Sequence, residues 1–499
     1  MNRALKRMSV AVLVMFLLLM INLNYLQGFD TGKLAALPFN TRTLDNQVRY
    51  QRGEIVTADG KVIALSVASN DSLKWQRQYP GGAMYAPITG FYSLYGANGG
   101  VEQAEDSVLA GGDSSLAVRN FIDMITGKKR AGANVKTTIV STVQEAAYNG
   151  LQQALQGTGH IGGVVAIDPS TGKILALASY PSFDPNLLAT HDGKQLNLND
   201  SATLNAPGAP RRDHAINDLF APGSTFKIVT SSAFFTQDTT RTAQTMVASP
   251  TQLTLPQTTH VLTNDNGEVC GNGSGQTTIE QAFLQSCDTT FGQLGMDLGA
   301  NALNSAATAF GMNSDALTIP MPVTQSNYVL PSSPDLTAYS AIGQFSDTVT
   351  PLQEAMFAAA VADNGTLMKP YLVQTVTASD FSNVQETAQS QLGQAVSGEV
   401  AGQLQQMMQA VVQNPQGTAA LYNQNAVGFN MSGKTGTAQT GVNNSHLDDA
   451  VFTAFAPGNG NPRIAVGVII QGGGYGATAA APIAVQVIKA YLAYLQGNP

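Results

Sequence analysis

The stretch Ala221-Pro222-Gly223-Ser224-Thr225-Phe226-Lys227-Ile228-Val229 decides how this chain is read. Pro222-Gly223 ends an extended segment, so Ser224 is placed to open a helix and Lys227 falls one turn on, on the same face. A serine hydroxyl is a poor nucleophile until a base takes its proton, and a lysine is that base only where burial or a second cation lowers its pKa. Phe226, Ile228 and Val229 offer such an apolar setting. The spacing alone is weak, because Ser170-Thr171-Gly172-Lys173 repeats it. That copy lies in the turn of a hairpin expected over residues 162–177, where its serine faces water.

Two further sequences join the first. Ser286-Cys287-Asp288 sits among Ala282, Phe283, Leu284, Phe291 and Leu294, a helix-compatible setting in which a serine and an aspartate ordinarily cap or meet solvent. Lys434-Thr435-Gly436-Thr437 reads as a sheet edge: Lys434 supplies a positive charge, the hydroxyls of Thr435 and Thr437 meet a carboxylate, and Gly436 lets a ligand approach the backbone. The overlapping GFNMSGKT of residues 428–435 fits the phosphate-binding pattern G-x-x-x-x-G-K-[ST]. That pattern needs a strand before it and a helix after it. Tyr422-Asn423-Gln424-Asn425 is no buried strand, and Gly436, Thr437, Thr440 and Gly441 are poor helix formers, so the match is rejected.

In order, S-x-x-K, S-x-[ND] and K-T-G, about 60 and then about 150 residues apart, are the signature set of penicillin-binding proteins and serine β-lactamases. Here the chain resembles the penicillin-binding transpeptidase family. The likeness extends to Gly343-Gln344, Val349-Thr350-Pro351-Leu352-Gln353, Asp363-Asn364-Gly365 with Met368-Lys369-Pro370, and Phe452-Thr453-Ala454-Phe455-Ala456-Pro457. Arg52-Gly53 with Asp59-Gly60 resembles the start of the non-catalytic module in the class B, monofunctional group. The resemblance implies a serine β-lactamase/transpeptidase-like domain and a D,D-transpeptidase that cross-links peptidoglycan in growth or division. It implies Ser224 as nucleophile toward D-Ala-D-Ala, Lys227 as its base, Ser286 as proton relay to the departing D-alanine and Lys434 as the charge that tunes Ser286. Asp288, Thr435, Gly436 and Thr437 would meet the substrate, with the backbone N–H groups of Ser224 and Thr437 as oxyanion hole. Stem peptides, the lipid-linked precursor, β-lactams and cell-wall synthesis proteins are the implied partners, and no cofactor is implied.

One residue departs from the family pattern. Asparagine usually stands where this chain has Asp288, and an ionised aspartate only accepts hydrogen bonds. Beside Lys227 it would favour the charged amine, so Asp288 is expected to pair mainly with Lys434 or to be partly protonated. A serine β-lactamase, a D,D-carboxypeptidase and a catalytically silent scaffold share the motifs. The N-terminal module argues against the first, and intact Ser224, Lys227, Ser286 and Lys434 argue against the last.

The remainder of the 499 residues frames this site. Only 12% are charged, against about 25% in ordinary globular domains, yet mean hydropathy is near zero and one stretch alone is apolar enough to span a bilayer. A net charge of -8 argues against a nucleic-acid binder, and five His leave little for a metal site, so none is expected. Arg3, Lys6 and Arg7 precede an apolar run from Met8 to Leu26 that reaches about 28 Å as a helix. Gln27, Gly28, Phe29 and Asp30 show no small-x-small cleavage site, so an uncleaved signal anchor is expected in the cell membrane, with the rest of the chain outside the cytoplasm. There Cys270 and Cys287, in a turn-rich region, can form a disulfide; two independent core cysteines are the alternative.

Further along, residues 51–64 read as two short strands about Asp59-Gly60, and residues 451–456 and 464–470 as strands. Helices are expected over 143–155, 224–236, 278–299, 351–363, 398–413 and 480–495. Helices on an antiparallel sheet make this an α+β domain. The expected division is 1–28, cytoplasmic stub and transmembrane helix; 29–155, a smaller non-catalytic module of pedestal or dimerisation type; and 156–499, the transpeptidase domain.

Overall fold

The computed structural model describes residues 3–28, 51–113, 125, 131–314, 317–378, 382–440 and 446–497. Phe29, Asp30 and Gly441, used above against a cleavage site and a phosphate loop, lie outside them. The first element is the helix Arg3–Gly28. Its segment Lys6–Leu26 is long and apolar enough to cross a membrane, and none of it is buried against the rest of the chain.

Five strands make the central sheet: β1 (Gly162–Ile167), β2 (Ile174–Tyr180), β3 (Ser432–Ala438), β4 (Asp449–Ala456) and β5 (Ile464–Ile470). Their order is β3-β4-β5-β1-β2, with every pair of neighbours antiparallel. Helices cover both faces, so β1, β4 and β5 are buried along their whole length and read as continuous apolar runs. Two adjacent glycines report the two layers. A Cβ on Gly162 would lie 2.8 Å from Leu155, on the helix Ser141–Leu155, whereas one on Gly163 would lie 2.8 Å from Pro351, on the helix Pro351–Ala362. The terminal helix Ala481–Gly497 packs beside Ser141–Leu155. The edge strand β3 carries Lys434.

A second sheet has six strands in the order Asn383–Glu386, Val373–Thr377, Asn134–Thr137, Ile55–Val56, Val62–Ala68 and Trp75–Gln78. The hairpin expected about Asp59-Gly60 is present, with Gly60 at φ 85°. Two of the six strands come from the second half of the chain: Val373–Thr377 pairs antiparallel with Asn134–Thr137. Conversely, helix Ser141–Leu155, counted with the module in the sequence reading, packs on β2 of the central sheet. Its apolar face of Val143, Ala147, Leu151 and Leu155 shows that it covers something, but not which sheet.

The module buries charge as well. Arg52 Nε donates to Glu102 Oε2 and its Nη1 to Asp106 Oδ1, each at 2.6 Å, while Arg77 Nε donates to Glu102 Oε1 at 2.7 Å. Glu102 has no exposed surface.

Candidate active site

Gly223–Phe226 forms a 3-10 turn from which the α-helix Lys227–Gln237 continues, where the sequence predicted a single helix from 224. Residues i and i+3 eclipse in a 3-10 turn. Ser224 and Lys227 are therefore stacked, with Lys227 Nζ 2.9 Å from Ser224 Oγ. The turn is seated by close backbone approach. Gly223 has φ 54° and Gly343 φ 73°; a Cβ on Gly343 would lie 2.0 Å from Gly223 O, and one on Gly223 2.8 Å from Thr437 O.

The helix expected over 278–299 is two helices, Ile279–Leu284 and Asp288–Leu298. The N–H of Ser286 donates to Phe283 O at 3.1 Å and that of Cys287 to Ala282 O at 2.8 Å, the bond pair that closes a helix on a left-handed residue. That residue is Ser286, at φ 61°, where glycine is usual. The reversal aims both of its oxygens at Lys227: Nζ lies 2.7 Å from Ser286 O and 3.2 Å from Ser286 Oγ. Cys287, disulfide-bonded to Cys270, leads into the second helix, whose first turn is fastened by Asn264 Oδ1 accepting from Thr289 N–H at 3.0 Å. From β3, Lys434 Nζ donates to Ser286 Oγ at 2.8 Å. The Ser286 hydroxyl thus lies between two amines.

Both lysines are fully buried. Burial holds Lys227 below its ordinary pKa, against the opposing pull of Asp288. Lys434 is held well below, first by burial and then by the charge of Lys227. Phe291 lies 5.5 Å from Lys227 Nζ and Phe283 5.5 Å from Lys434 Nζ, so ring faces line the site. Asp288 Oδ1 sits 2.6 Å from Lys227 Nζ. The expected pairing with Lys434 is corrected: Asp288 opens the second helix next to Ser286, and that turn delivers its carboxylate to the lysine that Ser286 already faces.

On β3, Thr435 Oγ1 lies 2.7 Å from Thr418 Oγ1. Thr418 was missed by the sequence reading; its N–H donates to Leu284 O at 3.1 Å, tying its loop to the last residue of the helix that leads into Ser286. No motif marks it. Thr437 is partly exposed. At Gly436 a Cβ would lie 2.8 Å from Pro222 O and 2.9 Å from Val451 Cβ, so packing of the nucleophile turn on β3 itself excludes a side chain. The rejected phosphate-loop match runs into strand β3, and Ser170 stands in the β1–β2 turn, its Oγ donating to Asp168 Oδ1 at 2.8 Å. The cleft therefore holds one hydroxyl against a buried amine and a second hydroxyl between two such amines, an arrangement able to take a proton from Ser224 Oγ and pass one on.

Residues 162–489 match the family model for the penicillin binding protein transpeptidase domain, and residues 52–135 match the penicillin binding protein A dimerisation domain. The chain is 39% identical to the peptidoglycan D,D-transpeptidase PbpA of Mycobacterium tuberculosis, with 100% of both chains covered. It is 39% identical to that of Mycolicibacterium smegmatis, with 99% of both covered. It is also similar to the structure of penicillin-binding protein A from M. tuberculosis as a ceftriaxone acyl-enzyme complex, at TM-score 0.84 and 36% identity, over 90% of this chain and 99% of that one.

Proposed function

The chain belongs to the penicillin-binding transpeptidase family, and on that premise we propose how its residues divide the work of a peptidoglycan D,D-transpeptidase. Ser224 Oγ attacks the penultimate D-alanine carbonyl carbon while its proton passes to neutral Lys227 Nζ. The carbonyl oxygen becomes an oxyanion between the N–H groups of Ser224 and Thr437. Collapse breaks the peptide C–N bond, and D-alanine leaves with a proton handed on through Ser286 Oγ. A second stem-peptide amine attacks the ester, gives up its proton to the same relay, and frees Ser224. Thr435 and Thr437 hold the substrate carboxylate, and Lys434 sets the field at Ser286. β-Lactams follow the first step and remain as esters.

The single observation that carries this reading is the 2.9 Å contact between Ser224 Oγ and a lysine whose charge burial penalises. We further read Lys6–Leu26 as a single membrane span with Arg3, Lys6 and Arg7 on the cytoplasmic side. The domains then lie where a Cys270–Cys287 disulfide persists. The described residues of 51–138, with the strands Val373–Thr377 and Asn383–Glu386, form the pedestal and partner surface for cell-wall synthesis proteins; the catalytic domain starts with helix Ser141–Leu155. The test is incubation with a pentapeptide donor and an amine acceptor. Release of D-alanine matched by a new amide supports transpeptidation. Release matched only by hydrolysis makes the protein a carboxypeptidase, and rapid turnover of penicillin makes it a β-lactamase.

A further inference from the structure

Beneath the nucleophile turn lies a carboxyl group that the mechanism does not use. Glu354 is in the helix Pro351–Ala362, all of whose residues are buried, and has no exposed surface. Its Oε1 lies 2.8 Å from Thr225 Oγ1, and Thr225 Oγ1 lies 2.8 Å from Pro222 O. Thr225 follows Ser224, and Pro222 precedes the turn that carries it. A hydroxyl owns one proton and cannot donate to a carboxylate and a carbonyl together. The contacts are all satisfied only if the Glu354 carboxylic acid donates to Thr225 Oγ1 and Thr225 in turn donates to Pro222 O.

The surroundings agree. From β4 the Thr453 hydroxyl donates to the Glu354 backbone carbonyl at 2.6 Å, and from β5 comes Gly467, where a Cβ would lie 2.7 Å from Glu354 Cβ. From the nucleophile turn the facing group is Thr225. Among the described residues Glu354 has no salt-bridge partner, and Oε2 has no hydrogen-bond partner. We propose that Glu354, as a neutral acid, is a positioning residue that latches the Ser224 turn through Thr225 and Pro222, and that its ionisation releases the latch. Burial pushes its pKa up to about 8, so the acid form persists through neutral pH. Loss of the proton forces Thr225 to turn its only hydroxyl hydrogen to the carboxylate, which breaks its bond to Pro222 O.

The inference rests on Ser224 being the acylated residue. Its test is the rate of acylation by benzylpenicillin of the full chain from about pH 6 to about pH 10, with melting temperature measured alongside. A raised folded-state pKa gives stability that is present in acid and lost as pH rises through that value. Wild type should therefore lose acylation rate as pH rises through about 8 and lose melting temperature progressively on the approach to that value, levelling above it, while Glu354→Gln, which donates to Thr225 without titrating, shows neither change. Thr225→Val should slow acylation at every pH, and Thr225→Ser should restore it. An alkaline limb in Glu354→Gln equal to that of wild type overturns the latch while leaving the acylation reading intact. Absence of any adduct on wild type would instead overturn the reading beneath it.

Discussion

Among the described residues, the buried charges of the module and those of the cleft differ in balance and in chemistry. In the module, Arg52 and Arg77 face Glu102 and Asp106, two cations against two anions. Burial alone would lower the Arg52 pKa, but Glu102 and Asp106 hold it above its usual value; burial alone would raise that of Glu102, but Arg52 and Arg77 hold it below. Arg52 and Glu102 therefore both keep their charge. In the cleft, the carboxylate of Asp288 pairs with Lys227 alone, Lys434 has no salt-bridge partner among the described residues, and both amines are pushed toward losing a proton. Guanidinium does not yield its proton in proteins, whereas a buried ammonium does. A balanced arginine cluster is a clamp, and an undercompensated lysine pair is a proton-transfer centre.

The difference is broken most sharply at Lys227. Lys227→Ala removes the base from Ser224 and should slow penicillin acylation by about 10²–10⁴-fold, the usual span for general base catalysis, with the fold intact by circular dichroism. Glu102→Gln attacks the other cluster: two buried guanidiniums lose their shared anion, and a loss of about 3–5 kcal/mol is expected in denaturant unfolding, while the folded fraction acylates at the wild-type rate. Because the folded pKa of Glu102 is depressed, its contribution is complete above the ordinary glutamate range and is lost as pH falls below it.

Asp288→Asn sharpens the comparison within the cleft. Without the carboxylate that favours charged Lys227, the lysine pKa falls further, so the acid limb of the acylation profile should move to lower pH; an unmoved limb would show that the 2.6 Å pair does not govern the base. The smallest effect is expected at the decoy. Ser170→Ala removes one hydrogen bond to Asp168, should cost about 1 kcal/mol or less in thermal unfolding, and should leave acylation unchanged.

Much of the fold was legible because it is local. The β1–β2 hairpin, the β4 and β5 runs and the terminal helix follow from periodicity and turn residues within short windows, and Ser224, Ser286 and Lys434 follow from motif order. What stayed hidden is non-local or turns on one dihedral angle. Ser286 reads as mid-helix from its neighbours, and only the left-handed turn takes it into the cleft. Val373–Thr377 carries nothing that marks it for a sheet begun over 200 residues earlier. Glu354 had a faint signal, a lone acid in the apolar run Pro351-Leu352-Gln353-Glu354-Ala355-Met356-Phe357, directly after the family segment that ends at Gln353. The scarcity of charge noted in the sequence is sharpened by the structure, since several of the few charges are buried in these two clusters.

The central claim is that Ser224, activated by Lys227, forms the acyl-enzyme. Whole-protein mass spectrometry after benzylpenicillin, comparing wild type with Ser224→Ala, tests it most directly. The account predicts a persistent single adduct on wild type, mapped to the peptide containing Ser224, and none on the variant. An adduct retained by Ser224→Ala, or wild type that consumes penicillin without carrying an adduct, would contradict it.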